Sequence, residues 1–511
     1  MLNLANTLQR SAFCAPTKAA LICGDTTITY QEFDHISGKI AAALIEDGLT
    51  PGDRVALSCP NLPFFPLIYY GIQKAGGVVV PLNVLLKHQE IEYHLKDAHA
   101  KFFFCFEGTA ELPMAKEAIT AFERVEGCQK LIVMAVDDQL INYKGYETLS
   151  HFMSDHPPIS ECVVRQGHDN AVILYTSGTT GYPKGAELTH SNMMSNAFIA
   201  QHLLSASNDD RHLVTLPLFH SFGQTLHMNS AILTGSTLVL VPRFEPTTVL
   251  SLIEQEQITI FAGVPTMYIG LLGADDEYDI SSLRIAISGG SSLHKEVIEQ
   301  FESRFKVPIL EGYGLSETSP IASFNYADSR VPGSVGKPVL GVEIRIVDEQ
   351  GTPLNRGEKG EIIIRGHNVM KGYVDRPEET EAVLKSGWFY TGDIGQQDES
   401  GNLYIVDRSK DMIIRGGMNV YPREVEEVFA QHPDIAMVAV LGVPDSLYGE
   451  EIKAVVVPKK GAEVDGRALV QWGKEQCASY KYPRTVEVVS SLPLSATGKI
   501  LKRELRALFT H

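Results

Sequence analysis

Residues 171–185 read AVILYTSGTTGYPKG. The opening AVILYT is apolar and β-branched, the signature of a buried strand. Gly178, Gly181 and Gly185 then let the backbone turn its N–H groups inward. Thr176, Ser177, Thr179 and Thr180 add hydroxyls, and Lys184 adds a positive charge. A strand that empties into such a loop makes a cradle for a polyphosphate. It is not the P-loop pattern. There the lysine follows a glycine and precedes Ser or Thr, whereas here Pro183 precedes Lys184 and Gly185 follows it.

On either side, strand-like and helix-like runs alternate. Thr29 and Glu32 form a capping box, and Phe33, Ile36, Ile40 and Leu44 continue at helical spacing. Strand candidates are VALSC (55–59), VVVPL (78–82), KFFFCF (101–106), KLIVMAV (130–136), STLVLV (236–241), ITIFAG (258–263) and RIAISG (284–289). Apolar strands separated by helices predict parallel sheets covered on both faces. After Gly333 the texture changes. EIRIVD (343–348) and EIIIRG (361–366), joined by a turn-rich link, read as an antiparallel β unit. The last hundred residues read as a compact α+β domain. It has a helix at 421–431, strands MVAVLGV and IKAVVVP, and an amphipathic terminal helix in TGKILKRELRALF. The expected class is α/β. A large domain, residues 1–407, holds two covered mixed or parallel sheets and a small β-barrel-like subdomain. A small mobile α+β domain, 408–511, follows.

The chain has 511 residues, with 44 Lys and Arg against 62 Asp and Glu, net −18. That balance disfavours a general nucleic-acid binder, which needs a basic face. The charge is uneven: residues 408–511 carry 15 basic and 13 acidic residues, so the small domain is mildly basic and the large one carries −20. Seven widely spaced cysteines without a C-x-x-C pair predict reduced thiols in the cytoplasm. The N-terminus lacks the apolar core of a signal peptide. Residues 213–242 contain no charged side chain, but Pro217, His220, Gln224, His227 and Asn229 make them a buried strand–loop–helix–strand run and not a membrane span.

YTSGTTGYPKGAELTH resembles the signature of the adenylate-forming superfamily, which includes acyl-CoA synthetases, aryl-CoA ligases, luciferases and peptide-synthetase adenylation domains. Five further blocks resemble that family, in family order: LPLFHSFG (216–223), EGYGLSET (311–318), YTGD (390–393), DRSKDMIIRGGMNVYP (407–422) and PLSATGKI (493–500). TYQEF and PGDRVALSCPN extend the likeness upstream, so it covers almost the whole chain.

The resemblance implies two half-reactions: a carboxylate attacks the α-phosphorus of ATP and releases pyrophosphate, then the thiol of coenzyme A displaces AMP. It implies roles for Thr176, Ser177, Gly178, Thr179, Thr180, Gly181 and Lys184 on phosphate, and for Glu317 on Mg²⁺. Thr318 would contact phosphate. Gly312, Tyr313 and Gly314 would face adenine, with Tyr313 packed on it. Gly289, Gly290 and Ser291 would line the adenine and acyl pocket. Asp393 would hold the ribose, and Arg408 the ribose or a phosphate. Lys499 would neutralise the reacting carboxylate and phosphate. Lys410 would be the hinge, and Gly416 and Gly417 would line a pantetheine tunnel after the small domain rotates. His220 would gate the acyl pocket or hydrogen-bond the carboxylate, or sit as a satisfied core histidine.

Two absences narrow the acid. The F-H-S-F-G run lacks the aspartate that holds an amino-acid substrate, and Gly312 stands where malonate-type ligases carry a basic residue. The expected substrate is a fatty acid, long-chain first, with an aryl or cinnamate-type acid as the alternative. A non-catalytic nucleotide-binding relative is the reading from another class, disfavoured because Lys499, Glu317, Asp393 and Arg408 are all present. No nucleic-acid partner is expected. Contact with a membrane would be weak and peripheral, and oligomeric state is left open.

Overall fold

The computed structural model describes residues 2–509 apart from 138, 177–181, 275 and 276. Among the described residues the body holds two nine-stranded sheets. In the first, Ala19–Cys23, Thr237–Leu240, Arg211–Val214, Ile260–Gly263, Ile285–Ser288 and Ile309–Gly314 run parallel, with antiparallel strands at both edges. In the second, Asn170–Thr176, Val78–Pro81, Arg54–Ser58, Ala100–Phe106 and Lys130–Met134 run parallel. Lys184–Thr189 and Gly372–Tyr373 extend it antiparallel. Parallel strands are buried on both faces, and Val78–Pro81, Ile260–Gly263 and Ile285–Ser288 are buried throughout.

Local chemistry starts the helices as expected. Thr29 accepts from the Glu32 amide while Glu32 accepts from the Thr29 amide, opening Tyr30–Glu46. Residues 213–242 form a buried strand, loop, helix and strand. The helix begins with a π-helical stretch, Gly223–Asn229, every residue of which is buried.

The segments EIRIVD and EIIIRG do pair antiparallel, Val342–Val347 against Gly360–Gly366. They belong to a five-stranded antiparallel sheet with Trp388–Gln397, Leu384–Lys385 and Leu403–Arg408. In this unit Trp388–Gln397 is the hub, pairing with Gly360–Gly366, Leu384–Lys385 and Leu403–Arg408. Beyond it, Ile413–Arg415, Met418–Val420, Ile435–Asp445, Gly449–Pro458 and Thr485–Val488 make a further sheet. Two apolar clusters drawn from residues 413–509, around Phe429 and around Leu505, fill its faces. The terminal helix is shorter than expected. Its helical part is Lys502–Phe509, and PLSATGKI forms an open turn in which Leu494 bridges Ile500.

Candidate active site

The strands on either side of the glycine-rich loop pair antiparallel. Thr176 ends one strand and pairs in register with Lys184, which begins the next. The expected residues Ser177, Gly178, Thr179, Thr180 and Gly181 lie outside the described residues. At the loop base, the Thr176 hydroxyl donates to Glu317 Oε1 at 3.1 Å. The Tyr373 hydroxyl donates to the same oxygen at 3.0 Å. Lys184 holds its ammonium 5.4 Å from the centre of the Tyr373 ring. A buried carboxylate and two hydroxyls are hard oxygen donors, and this set fits a Mg²⁺ ion carried on a triphosphate.

Glu317 lies on a single 3-10 turn, Ser316–Thr318, that follows the strand Ile309–Gly314. Gly314 is required by a close approach: a Cβ there would sit 1.7 Å from the Pro320 carbonyl oxygen. Gly312 packs against Phe324. Thr318 departs from its expected role. It is fully buried, accepts the Leu315 N–H at 2.9 Å and donates to the Pro320 carbonyl at 2.6 Å. Its hydroxyl is committed to shaping the turn that carries Glu317 and does not face phosphate.

Tyr313 donates to Asp393 Oδ2 at 2.7 Å. Arg408 lies across the strand pair in register with Asp393, and its Nε is 3.2 Å from Oδ1. Burial pushes the Asp393 carboxyl upward, and the Arg408 cation and the Tyr313 hydroxyl pull it back. A buried carboxylate held by a phenol and a guanidinium retains lone pairs for a vicinal diol.

Lys499 reaches the same place from the small domain. A Cβ on Gly290 would meet its Cε at 3.2 Å, so the glycine leaves room for the lysine. The lysine's loop is docked by Thr266, whose hydroxyl donates to the Gly498 carbonyl at 3.2 Å, and braced by the Lys499 N–H, which donates to Ser495 Oγ. Burial and the Arg408 charge push the Lys499 ammonium down to about 8, against the pull of Asp393 and Glu317. Four expected residues, Lys499, Glu317, Asp393 and Arg408, therefore share one electrostatic environment.

Gly289 packs on the Phe222 ring, and Ser291 is exposed beside Gly290. His220 accepts the Phe222 N–H at Nδ1, 3.2 Å. Burial, and secondarily Lys499, push its imidazole down to about 3. It is neutral, with its proton on Nε2, and can donate a hydrogen bond from that atom. Lys410 is exposed on the 3-10 turn between the two domains' sheets. Gly416 and Gly417 take positive φ at a hairpin turn against Tyr448, apart from the contacts that dock the Lys499 loop. Tyr373 was not among the expected site residues. Only its cross-sheet position gives it meaning.

Two families of sequence model describe the chain: AMP-binding enzyme over residues 8–374 and AMP-binding enzyme C-terminal domain over 424–499. The chain belongs to the AMP-binding enzyme family. It is 37% identical to a long-chain-fatty-acid–CoA ligase of Bacillus subtilis, over 98% of this chain and 94% of that one. It is equally 37% identical to a feruloyl-CoA synthase of Amycolatopsis, over 98% of both. The crystal structure of ATP-bound MatB from Rhodopseudomonas palustris superimposes with a TM-score of 0.91 at 32% identity, covering 100% of this chain and 99% of the other.

Proposed function

We propose that this adenylate-forming acyl-CoA ligase acts on a monocarboxylic acid with an uncharged tail, a fatty acid first and a long-chain one by preference. The substrate carboxylate attacks the α-phosphorus of ATP, the bond to the β-phosphate oxygen breaks, and pyrophosphate leaves with the displaced electron pair. The coenzyme A thiolate then attacks the acyl carbon and AMP departs. The observation that carries this reading is the half-buried Lys499, its ammonium set beside Gly290 in the field of Glu317, Asp393 and Arg408. A preorganised cation at the reacting oxygens stabilises charge as it develops. Asp393 and Tyr313 hold the ribose end, Thr176 and Lys184 the phosphate end, and His220 donates from Nε2 to a carboxylate oxygen. Mg²⁺, bound through Glu317, supplies charge neutralisation on the phosphates.

We assign residues 1–407 to the nucleotide- and acyl-binding body and 408–511 to a lid that turns at Lys410, bringing Gly416 and Gly417 to the thioester step. The seven free thiols support a reducing, cytoplasmic setting. No helix among the described residues is long and apolar enough to cross a membrane.

A second reading, an aryl acid, is favoured by one feature. The buried π-helical stretch that starts beside Phe222 carries the polar side chains Gln224, His227 and Asn229, and if the acyl chain runs along it they would suit a ring with polar substituents better than a plain alkyl chain. Pyrophosphate release with C6–C18 fatty acids and cinnamates, with and without coenzyme A, tests both. Fatty acids are expected to turn over. Silence with every fatty acid sinks the first reading, and turnover of cinnamates alone installs the second.

A further inference from the structure

The helix His88–Asp97 lies outside every motif named above, yet its last turns grip the phosphate loop at both ends. Tyr93 and Asp97 share one face of it, four residues apart. At the entry to the loop, the Tyr175 hydroxyl donates to Asp97 Oδ2 at 2.8 Å. The edge of the His94 ring meets Tyr175 with centroids 4.3 Å apart. At the exit, the Tyr93 hydroxyl donates to the Pro183 carbonyl at 2.7 Å, and its ring stacks on Tyr182 at 5.3 Å.

A third segment closes the arrangement. Arg376 Nη2 donates to Asp97 Oδ1 at 2.7 Å and to the Tyr93 hydroxyl at 3.2 Å. Arg376 lies three residues beyond Tyr373, in the segment that pairs with Lys184–Thr189: Tyr373 faces Ala186, and the Val374 N–H donates to the Gly185 carbonyl. One helix thus fixes the entry strand, the exit strand and the segment whose tyrosine holds Glu317. Tyr93, Tyr182, Lys184, Arg376 and Glu379 line a cleft of about 310 Å³ at this edge.

Asp97 needs an explanation of its own. A carboxylate in the last turn of a helix opposes the helix dipole, and one next to a polyphosphate site repels the ligand. Both effects are offset because Arg376 neutralises it and Tyr175 donates to it. Helix stability would be better served by almost any other residue, so its value lies in what it holds.

We propose that Asp97, with Tyr93 and Arg376, is the positioning group of the phosphate loop. It sets the spacing of the loop's two ends, and hence affinity for the β- and γ-phosphates, without touching the nucleotide. The inference rests on reading residues 176–184 as the phosphate site, and it deepens that reading. It predicts a split that a general stabilising role would not produce. AMP is held by the Asp393 end and lacks the two outer phosphates, so its binding is indifferent to the clamp.

The test uses the full chain and calorimetric binding of Mg·ATP and of AMP to wild type, Asp97→Asn and Tyr93→Phe. Each variant is expected to weaken ATP about tenfold, the net contribution of one or two hydrogen bonds, and to leave AMP within about twofold. Thioester formation from synthetic acyl-AMP and coenzyme A should keep its wild-type rate. Equal loss of ATP and AMP affinity overturns the proposal, as does unchanged ATP affinity in both variants. Tyr93→Phe removes a single hydroxyl, so it remains informative if Asp97→Asn does not fold. Wild type that binds ATP but activates none of the acids tried would sink the proposed substrate and leave this test intact.

Discussion

The state of the Lys499 ammonium makes a direct prediction about alkaline pH. Its burial, with Arg408 adding like charge, leaves it titrating near 8 in the free enzyme, where an exposed lysine titrates near 10.5. In the proposed role, adenylation uses the cation, so the active form should be lost as pH rises. With a pKa near 8, roughly three-quarters of the enzyme is charged at pH 7.5 and about a tenth at pH 9, so kcat/KM for adenylation should fall about eightfold between them. The assay is acid-dependent pyrophosphate release without coenzyme A, since kcat/KM reports the free enzyme. Lys499→Ala should lower that rate ~10²–10³-fold and abolish the alkaline limb. Lys499→Arg should restore a flat profile to pH 9.5, because guanidinium stays charged, though its planar fork fits the site less well. Thioester formation from preformed acyl-AMP, compared at one pH, should be nearly indifferent to both substitutions. A wild-type profile flat to pH 9.5 would refute the electrostatic argument, and equal damage to both half-reactions would refute the assignment.

Tyr373→Phe removes one of two hydroxyls that orient Glu317. It should raise the Mg²⁺ concentration for half-maximal adenylation several-fold, as loss of an outer hydrogen bond to a ligand does, and an unchanged Mg²⁺ titration would exclude the role. Glu424 links the proposed lid to the body through Lys359 at 2.6 Å and meets Lys481 at 3.1 Å. These groups are a quarter to two-fifths exposed, so Glu424→Gln should cost no more than about 1 kcal/mol and slow adenylation less than about fivefold in stopped flow. A larger loss would mean that this bridge, and not the Lys499 loop, docks the lid. His190 is buried, accepts the Leu4 N–H at Nδ1 and is pushed down to about 4 by burial. It is neutral in the fold but takes up a proton below about 6.5 when unfolded, so stability is lost as pH falls from 6.5 towards 4. Its share between pH 7.5 and 5 is about 2 kcal/mol. His190→Asn should flatten the urea midpoint over that interval, and an unaltered slope would show that the loss arises elsewhere.

What the sequence could and could not reveal follows from where the information lies. The capping box at Thr29 and Glu32, the apolar strands and the change of texture after Gly333 are local patterns, written in neighbouring residues, and the structure contains each of them. The strand–glycine–lysine run is likewise local, and its register, Thr176 opposite Lys184, follows from it. Tyr373 and the Asp97, Tyr93 and Arg376 group carry no such spacing. They acquire meaning only when Gly372–Tyr373 becomes the edge strand beside Lys184–Thr189, a pairing across nearly two hundred residues. Thr318 shows the opposite failure. Its position in the motif was legible, but the direction of its hydroxyl was not, because that depends on the neighbouring Pro320 carbonyl. The π-helical stretch at Gly223–Asn229 was readable as buried and helical, while its extra residue per turn has no periodic signature in so short a run.

The acidic body and the polyanionic substrates are reconciled at short range. Charges beyond about 8 Å are largely screened at physiological ionic strength, so a net −18 decides little inside the cleft. What counts is that Lys499 and Arg408 meet there around Asp393, and that Lys499 lies beyond the proposed hinge at Lys410. Its lowered titration point means that docking strips the ammonium of water at a cost of up to about 3 kcal/mol, less by whatever solvent still reaches it. ATP and the substrate carboxylate offset that cost when both are bound. Once pyrophosphate has left and the carboxylate has lost its own charge in the acyl-AMP, whose phosphoryl group keeps one negative charge, the offset would shrink and the proposed lid would lose part of its electrostatic support. On the proposed reading, the same charge that assists adenylation would thereby favour lid release after it. The consequence is measurable: Mg·ATP with a non-reacting amide analogue of the acid should lift the alkaline limb less than Mg·ATP with the acid itself. Equal displacement by the two ligands would show that the carboxylate's charge does not hold the lid.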